Sequence, residues 1–499
     1  NVNAGTSSSP YNSQAIVTVV TGTAGAIAAA LNFAIALNAS SNKATVVGTS
    51  GSLSGTNVNI YAEGNTRAYA IIANASIGGF SMNISATIAW LKSTQEASLS
   101  SGATIVLTGT LNVTSKQNST LNTYSNFLLQ ITDRLTDIVS GKFSSMAQAY
   151  IFSASAGVAV ASANVAVATA DATGKALVKA SNLTAGGAIN VYSYGSSTAN
   201  AKVDNITFAV ASAGLMTGYS YAAGTFEASL TSDGMITAGS INVVNNFTSD
   251  ATTDLTPAAG GIKASLYSVA ANISLAESKS VGKAFISGTG GIDAGVVTVS
   301  SRAKATAYAV IRGAVLKIGG VDVAVNEAYA NVSATQDAYI EKVTLLADSV
   351  DVSSTLNDTV ETGAVAVVGS NGRLPSVSIS YISGTVSLAQ AFVTAKSHAY
   401  ISGASLYVSG AVSVGTTARS YANADILESQ FSLSVVGVTL LSTIAKAEGE
   451  FTAYIDTTGA ALMTGSLTVN TTYYAVADAA VGAAGGLGVT LASITSNSA

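Results

Sequence analysis

The sequence predicts an all-β fold, a repetitive β-solenoid of about nine copies of a unit near 55 residues. Three observations carry this. Two short anchors recur at nearly constant spacing, the chain between them alternates small apolar and polar residues with period two, and the composition suits strands rather than disorder. Of the 499 residues only 9% are charged, 48% are hydrophobic, and proline occurs three times.

The first anchor is a small residue followed by V-x-V or a close variant. It reads TNVNI after Gly55, TLNV after Gly109, AINV after Gly187, SINV after Gly239, VVTV after Gly295, SVDV after Asp348, AVSV after Gly410 and SLTV after Gly465. The NVN at residues 1–3 fits the tail of another copy. The second anchor is an alanine, a variable residue and often an aliphatic one, at Ala44, Ala97, Ala176, Ala228, Ala284, Ala338, Ala399 and Ala453. Each alanine precedes the next first anchor by 10 to 12 residues. First anchors lie 52 to 62 residues apart, except for the 78 between Gly109 and Gly187. Ala149-Tyr150-Ile151 reads as an early second anchor in that interval, so residues 149–176 are expected to be an insertion in one elongated array spanning 1–499.

Residues 293–340 show what one copy does. From Val299 to Ala309 the odd positions are valine, serine and alanine, and the even ones include Arg302, Lys304, Thr306 and Tyr308. This is the alternation of a strand with one buried face. The phase slips after Gly313, as a bulge would cause, and Gly319-Gly320 reads as the tight turn of a hairpin. In the returning arm Ala324, Ala328, Ala330, Val332, Ala334, Ala338 and Ile340 share the inner face. An alanine stripe buries little apolar surface, so a lone copy cannot offset its ordering entropy. Copies must share strand edges and a continuous core. The number of coils per copy is left open by the spacing.

Residues 125–143 depart from the strand pattern. Phe127, Leu128, Ile131, Leu135 and Ile138 fall at helical spacing, which predicts one short helix near 126–140 as a decoration. Residues 16–37 carry no charge and are long enough to span a bilayer as a helix, but their Thr, Gly and Ala content and place in the repeat favour a strand.

Chemistry is sparse. There is no cysteine, hence no disulfide or thiolate metal site, and His398 is the only histidine, read as a solvated surface residue. The 26 acids are scattered, and Asp133 and Asp137 fit a solvated helix face. GTGGID at 288–293 fits a turn better than a calcium repeat, and no nucleotide-binding motif is present. The net charge of −5 invites no nucleic acid. No catalytic residue, cofactor, metal or small-molecule substrate is expected, so the chain reads as a non-enzyme. Twelve N-x-S/T sites are candidate glycosylation positions: Asn38, Asn74, Asn83, Asn112, Asn118, Asn182, Asn205, Asn246, Asn272, Asn331, Asn357 and Asn470. The residue after the anchor alanine is Phe285, Tyr339, Tyr400 and Tyr454 in four consecutive copies, with Tyr150 at the expected insertion. If the alanine points in, these rings point out in a file, a candidate interaction stripe.

The G-x-V-x-V anchor, the alternating alanine body and the closing A-Y-I resemble the repeats of large secreted bacterial exoproteins, the leukotoxin-like and filamentous-haemagglutinin-like β-solenoids. The resemblance implies a secreted or cell-surface filamentous protein, often adhesive, and carries over no catalytic residue. The very low charge departs from that family. The expected function is an extracellular structural protein, a filament subunit or adhesin shaft. It would join other copies head to tail, because both chain ends fall within the same joint of the repeat, and glycans or another cell surface are further partners. The alternative is a transmembrane β-barrel or autotransporter-type passenger, since alternating strands and 20 tyrosines also suit an outer membrane.

Overall fold

In a computed structural model, residues 2–4, 13–48, 52–117, 146–257, 262–264, 266–312, 316–358, 363–369, 376–427, 430–481 and 484–498 are described. Almost all of them are strand and none is helix. The segment expected to be helical, 126–140, lies outside the described residues.

Each repeat makes one wide coil. A first arm starts at the V-x-V anchor, a second arm runs back to the anchor alanine, and a short third side leads to the next corner. In one coil the short side and first arm form a single strand, Gly291–Ile311, and the second arm is Val321–Glu341. Every ladder among the described residues is parallel, each arm bonding the same arm one coil before and after. Nine second arms stack in this way. The hairpin expected at Gly319-Gly320 is therefore replaced by a corner. The strand Leu316–Ile318 before it and Val321–Glu341 after it both pair with the strand Ser376–Ser402 of the next coil. Gly291–Ile311 and Val321–Glu341 meet only through side chains. Period-two alternation fixes which side chains are inside but is the same for either ladder direction.

Register corrects the expected insertion. Ala149 pairs with Ala70 and Ala176 with Ala97, so 149–176 belong to the coil itself. Gln117 pairs with Gly195, whereas Ala68 pairs with Ala147. The additional residues of that repeat therefore lie between Gln117 and Ala147.

The core has two parts. Around the short third side, anchor residues such as Val297, Val299, Ile340 and Leu345 are fully buried. Between the two long arms the core is a thin slab of alanines, including Ala303, Ala305, Ala307, Ala328 and Ala330. Where the two parts meet, polar side chains bond directly across the coil. Ser301 donates to Gln336 Oε1 at 2.6 Å, and Ser354 and Ser397 are 2.7 Å apart. At the far end the arms join by a U-turn so narrow that Asn74 donates to Asn83 at 2.7 Å. Gly25, Gly78 and Gly157 stack at this turn, and a side chain on Gly78 or Gly157 would press on the carbonyl of the glycine one coil below.

Two aromatic rings, Phe226 and Phe247, are also buried in this slab, stacked at 4.7 Å. They fit because glycines surround them. A Cβ on Gly174 or Gly224 would lie 2.6 or 2.8 Å from the Phe226 ring, one on Gly195 would overlap it, and one on Gly282 would come within 2.5 Å of Phe247.

Candidate interaction stripe

The second arm places the anchor alanines in one buried file, with Ala228, Ala284, Ala338, Ala399 and Ala453 in mutual register. Their successors therefore project outward. Phe285, Tyr339, Tyr400 and Tyr454 stack with ring centroids 4.8, 4.9 and 5.1 Å apart and planes tilted by 2°, 5° and 1°. These separations match the ~4.7–4.9 Å between neighbouring strands, so the ladder itself imposes the stack. The first three rings are half-buried, and Tyr454 is 43% exposed. The file continues downward without aromatics: Ser229 precedes Phe285, and lower still Ser98 donates to Thr45 at 3.1 Å. Tyr150 is not part of it. It lies on a first arm opposite Ile71, is buried, and donates to Asp204 at 2.8 Å.

Because the rings cover one another, the stripe offers ring edges and hydroxyls, and its flanks are acidic. Tyr400 donates to Glu341 at 3.2 Å. Burial pushes the Tyr339 phenol up to about 12, with Glu341, Asp337 and Glu227 adding to the shift. Burial raises Tyr400 and Tyr454 in the same direction, with Glu341 the next cause for both. All three phenols stay protonated as donors at neutral pH.

Two residues before the stripe, on the same face, His398 sits over Asp337 with Nδ1 2.9 Å from its Oδ1. Its Nε2 is 3.7 Å from Glu450, which also pairs with Lys396 at 2.9 Å. His398 is half-buried rather than the solvated residue expected. The hydrogen bond to Asp337 holds its imidazole above its ordinary range. Asp293, in the GTGGID segment, is exposed beside a turn in which Gly290 and Gly291 donate to the coil below. Among the described residues no three His, Asp or Glu side chains converge as metal ligands.

The candidate glycosylation sites divide. Asn38, Asn74, Asn83, Asn205, Asn272 and Asn357 point inward or are covered and are buried, so the folded chain cannot present them to a glycan. Asn357 instead bonds both the N–H and the C=O of Ala305. Asn182, Asn246 and Asn470 are exposed, Asn112 and Asn331 are half-buried, and Asn118 lies outside the described residues.

A second outward file had a visible signal, an Asn between two aliphatic residues at the centre of the first anchor in four copies. Asn59, Asn112, Asn190 and Asn242 form an amide ladder with donor–acceptor distances of 2.7, 2.8 and 2.9 Å. The chain matches no protein-family model, no curated protein and no solved structure.

Proposed function

We propose that this chain is a non-enzymatic structural protein of the cell exterior, the shaft of a filament or adhesin. The observation that carries the reading is the register of nine second arms, which makes the molecule a rod whose outward positions line up in files from coil to coil. The barrel alternative has less support, because it needs antiparallel strands around a lumen, whereas these strands pair in parallel around a filled core. The aromatic file is first a ladder holding coils together. Its hydroxyl and acid edge is the part available for a sister filament or a glycan. Glycosylation of the shaft itself is restricted to the exposed Asn182, Asn246 and Asn470 and the half-buried Asn112 and Asn331.

Association is proposed to run head to tail. Among the described residues, the strand Ser13–Gly48 bonds the coil above it and the strand Ala484–Ser498 the coil below, each through one edge. Backbone edges of this kind accept an added strand, and a contact of this type does not close, so it grows a filament. Negative-stain microscopy of the full chain and of chains lacking residues 1–15 or the last ten tests this. Filaments of unchanged length after both deletions would rule the joint out. Replacing Tyr339, Tyr400 and Tyr454 together by serine separates the roles of the stripe. Lost thermal stability with intact bundling or adhesion marks a ladder, and the reverse marks a contact surface.

A further inference from the structure

We propose that two copies of this chain pair laterally, face to face, through the outer face of the second arm in the first four coils. This goes beyond end-to-end growth, because the contact lies on the side of the rod. Between the U-turn and the first charged border, residues 27–37, 80–90, 159–169 and 211–221 contain no charged residue. Apart from Thr169 and Thr217, their outward positions are aliphatic or aromatic. Ile27 is 77% exposed and Phe33 62%, with Leu31, Ile35 and Leu37 also above half. Phe80, Ile88 and Trp90 continue the face on the next coil, in register with Ile27, Ile35 and Leu37. Four coils spaced ~4.8 Å apart, each ~36 Å along the strand, give a flat area of roughly 700 Å². That approaches the ~800 Å² each partner contributes to a stable interface. An exposed apolar patch of this size is one a monomer rarely leaves bare.

The relief of the face identifies a second copy as its occupant. The first two coils carry the large side chains and form a ridge. Near the U-turn the next two carry Ala159, Ala161, Ala163, Ala211 and Ala213, with Leu215, Tyr219 and Tyr221 only farther along the fourth coil, and a trough of about 340 Å³ runs between Met82 and Ile84 on one side and Leu215 and Val269 on the other. A two-fold axis along the strand direction, between the second and third coils, lays the Phe80–Ile84 part of each ridge into the other copy's trough and sets Leu31 against Leu215 beside it. Phe80, Met82 and Ile84 then fall over Ala159, Ala161 and Ala163 of the other copy, since the register makes these pairs equivalent positions on adjacent coils. Trp90 likewise falls over Thr169, and Phe33 over the position of Thr217. The border is not the cationic rim of a surface that binds anionic lipid. The next outward positions are Lys92 and Asp171, one of each sign and in register.

The chain has no cysteine, so a disulfide between introduced thiols reports only the intended contact. Chains carrying Ile84→Cys are mixed with chains carrying Ala163→Cys and oxidised. Mixed dimers are expected to exceed either self-dimer at least tenfold, and equal amounts would overturn the proposal. By sedimentation, Met82→Glu with Ile84→Glu is expected to weaken lateral association at least tenfold with an unchanged far-ultraviolet spectrum. Unchanged association of that folded variant would overturn the pairing. So would a wild-type chain that shows no lateral association at tens of micromolar, or one that floats with phosphatidylcholine vesicles instead.

Discussion

At the scale of single residues the two faces of a strand carry different tolerances. Ala307 and Ala330 are fully buried in the thin slab. Leucine at either should overpack it and cost ~1–3 kcal/mol, read from denaturant or thermal unfolding. Thr335→Leu, on the half-buried outer face, should stay within ~0.5 kcal/mol. Thr306 is a poor outer control despite its alternation. It is buried and donates to Asp250 at 2.8 Å, so removing its hydroxyl deprives a carboxylate that burial already pushes up. The glycines around the core rings give a second contrast. Gly195→Ala should cost ~1–3 kcal/mol because its Cβ overlaps Phe226. Gly22→Ala, which meets nothing within 4 Å, should be neutral or slightly stabilising. His398 gives a pH dependence of known sign. Its folded pKa lies above the ordinary 6.5, chiefly through its hydrogen bond to Asp337. The protonated ring therefore contributes stability that is fully present below about 6.5 and fades as pH rises through the raised value. Asp337, whose side chain is largely covered, carries most of this effect, and solvent screening leaves the exposed Glu450 a minor part. His398→Gln should flatten unfolding midpoints across that window and leave them unchanged well above it.

At the scale of elements, ladders of like side chains are the repeated device, and they behave as units. Asn190 donates to Asn112 and accepts from both Asn242 and the Tyr192 hydroxyl. Asn190→Ala should therefore cost more than Asn242→Ala at the ladder's end, by ~0.5–1.5 kcal/mol per hydrogen bond removed. Equal losses at both positions would mean the amides act singly. The same elements show how far the sequence could be read. The inward set Ala324 to Ile340, the out-facing aromatic file and the file of anchor alanines all follow from period-two alternation and the repeat spacing. Three things did not follow. The stacking of copies into a β-solenoid was legible, but the path within one copy was hidden because alternation is blind to ladder direction, so Gly319-Gly320 read as a hairpin. The additional residues of the third coil were misplaced because Ala149-Tyr150-Ile151 copies the second anchor while lying on a first arm. Six of the N-x-S/T sites were inward or covered because asparagine and serine occur on both faces of these strands, bonding across the coil as Asn74 does to Asn83. The apolar outer face of residues 27–37 was visible only as a lack of polar alternation, a signal shared with a membrane helix.

At the scale of the whole molecule, stability is set by neighbours along one axis. Each coil contacts the coil before and after it, and the alanine slab and anchor core run through all of them. Stability should then be close to a sum of coil and interface contributions. A coil removed from the middle of the array, for example residues 296–348 excised so that Gly295 is joined in register to Ser349, deletes one repeat while restoring every ladder. The denaturant dependence of unfolding should fall roughly in proportion to the chain removed, because it scales with the surface exposed. The midpoint should shift little, since the surviving interfaces are of the same kind. The excision also tests the aromatic file, because it takes out Tyr339 and brings Phe285 into register with Tyr400. If the rings stack because the strands dictate their spacing, Phe285 and Tyr400 should stack as Tyr339 and Tyr400 now do, and the shortened rod should keep its near-ultraviolet signature per aromatic residue. A collapse in midpoint, or loss of that signature, would mean that particular side chains rather than the repeating backbone register hold this part of the rod together.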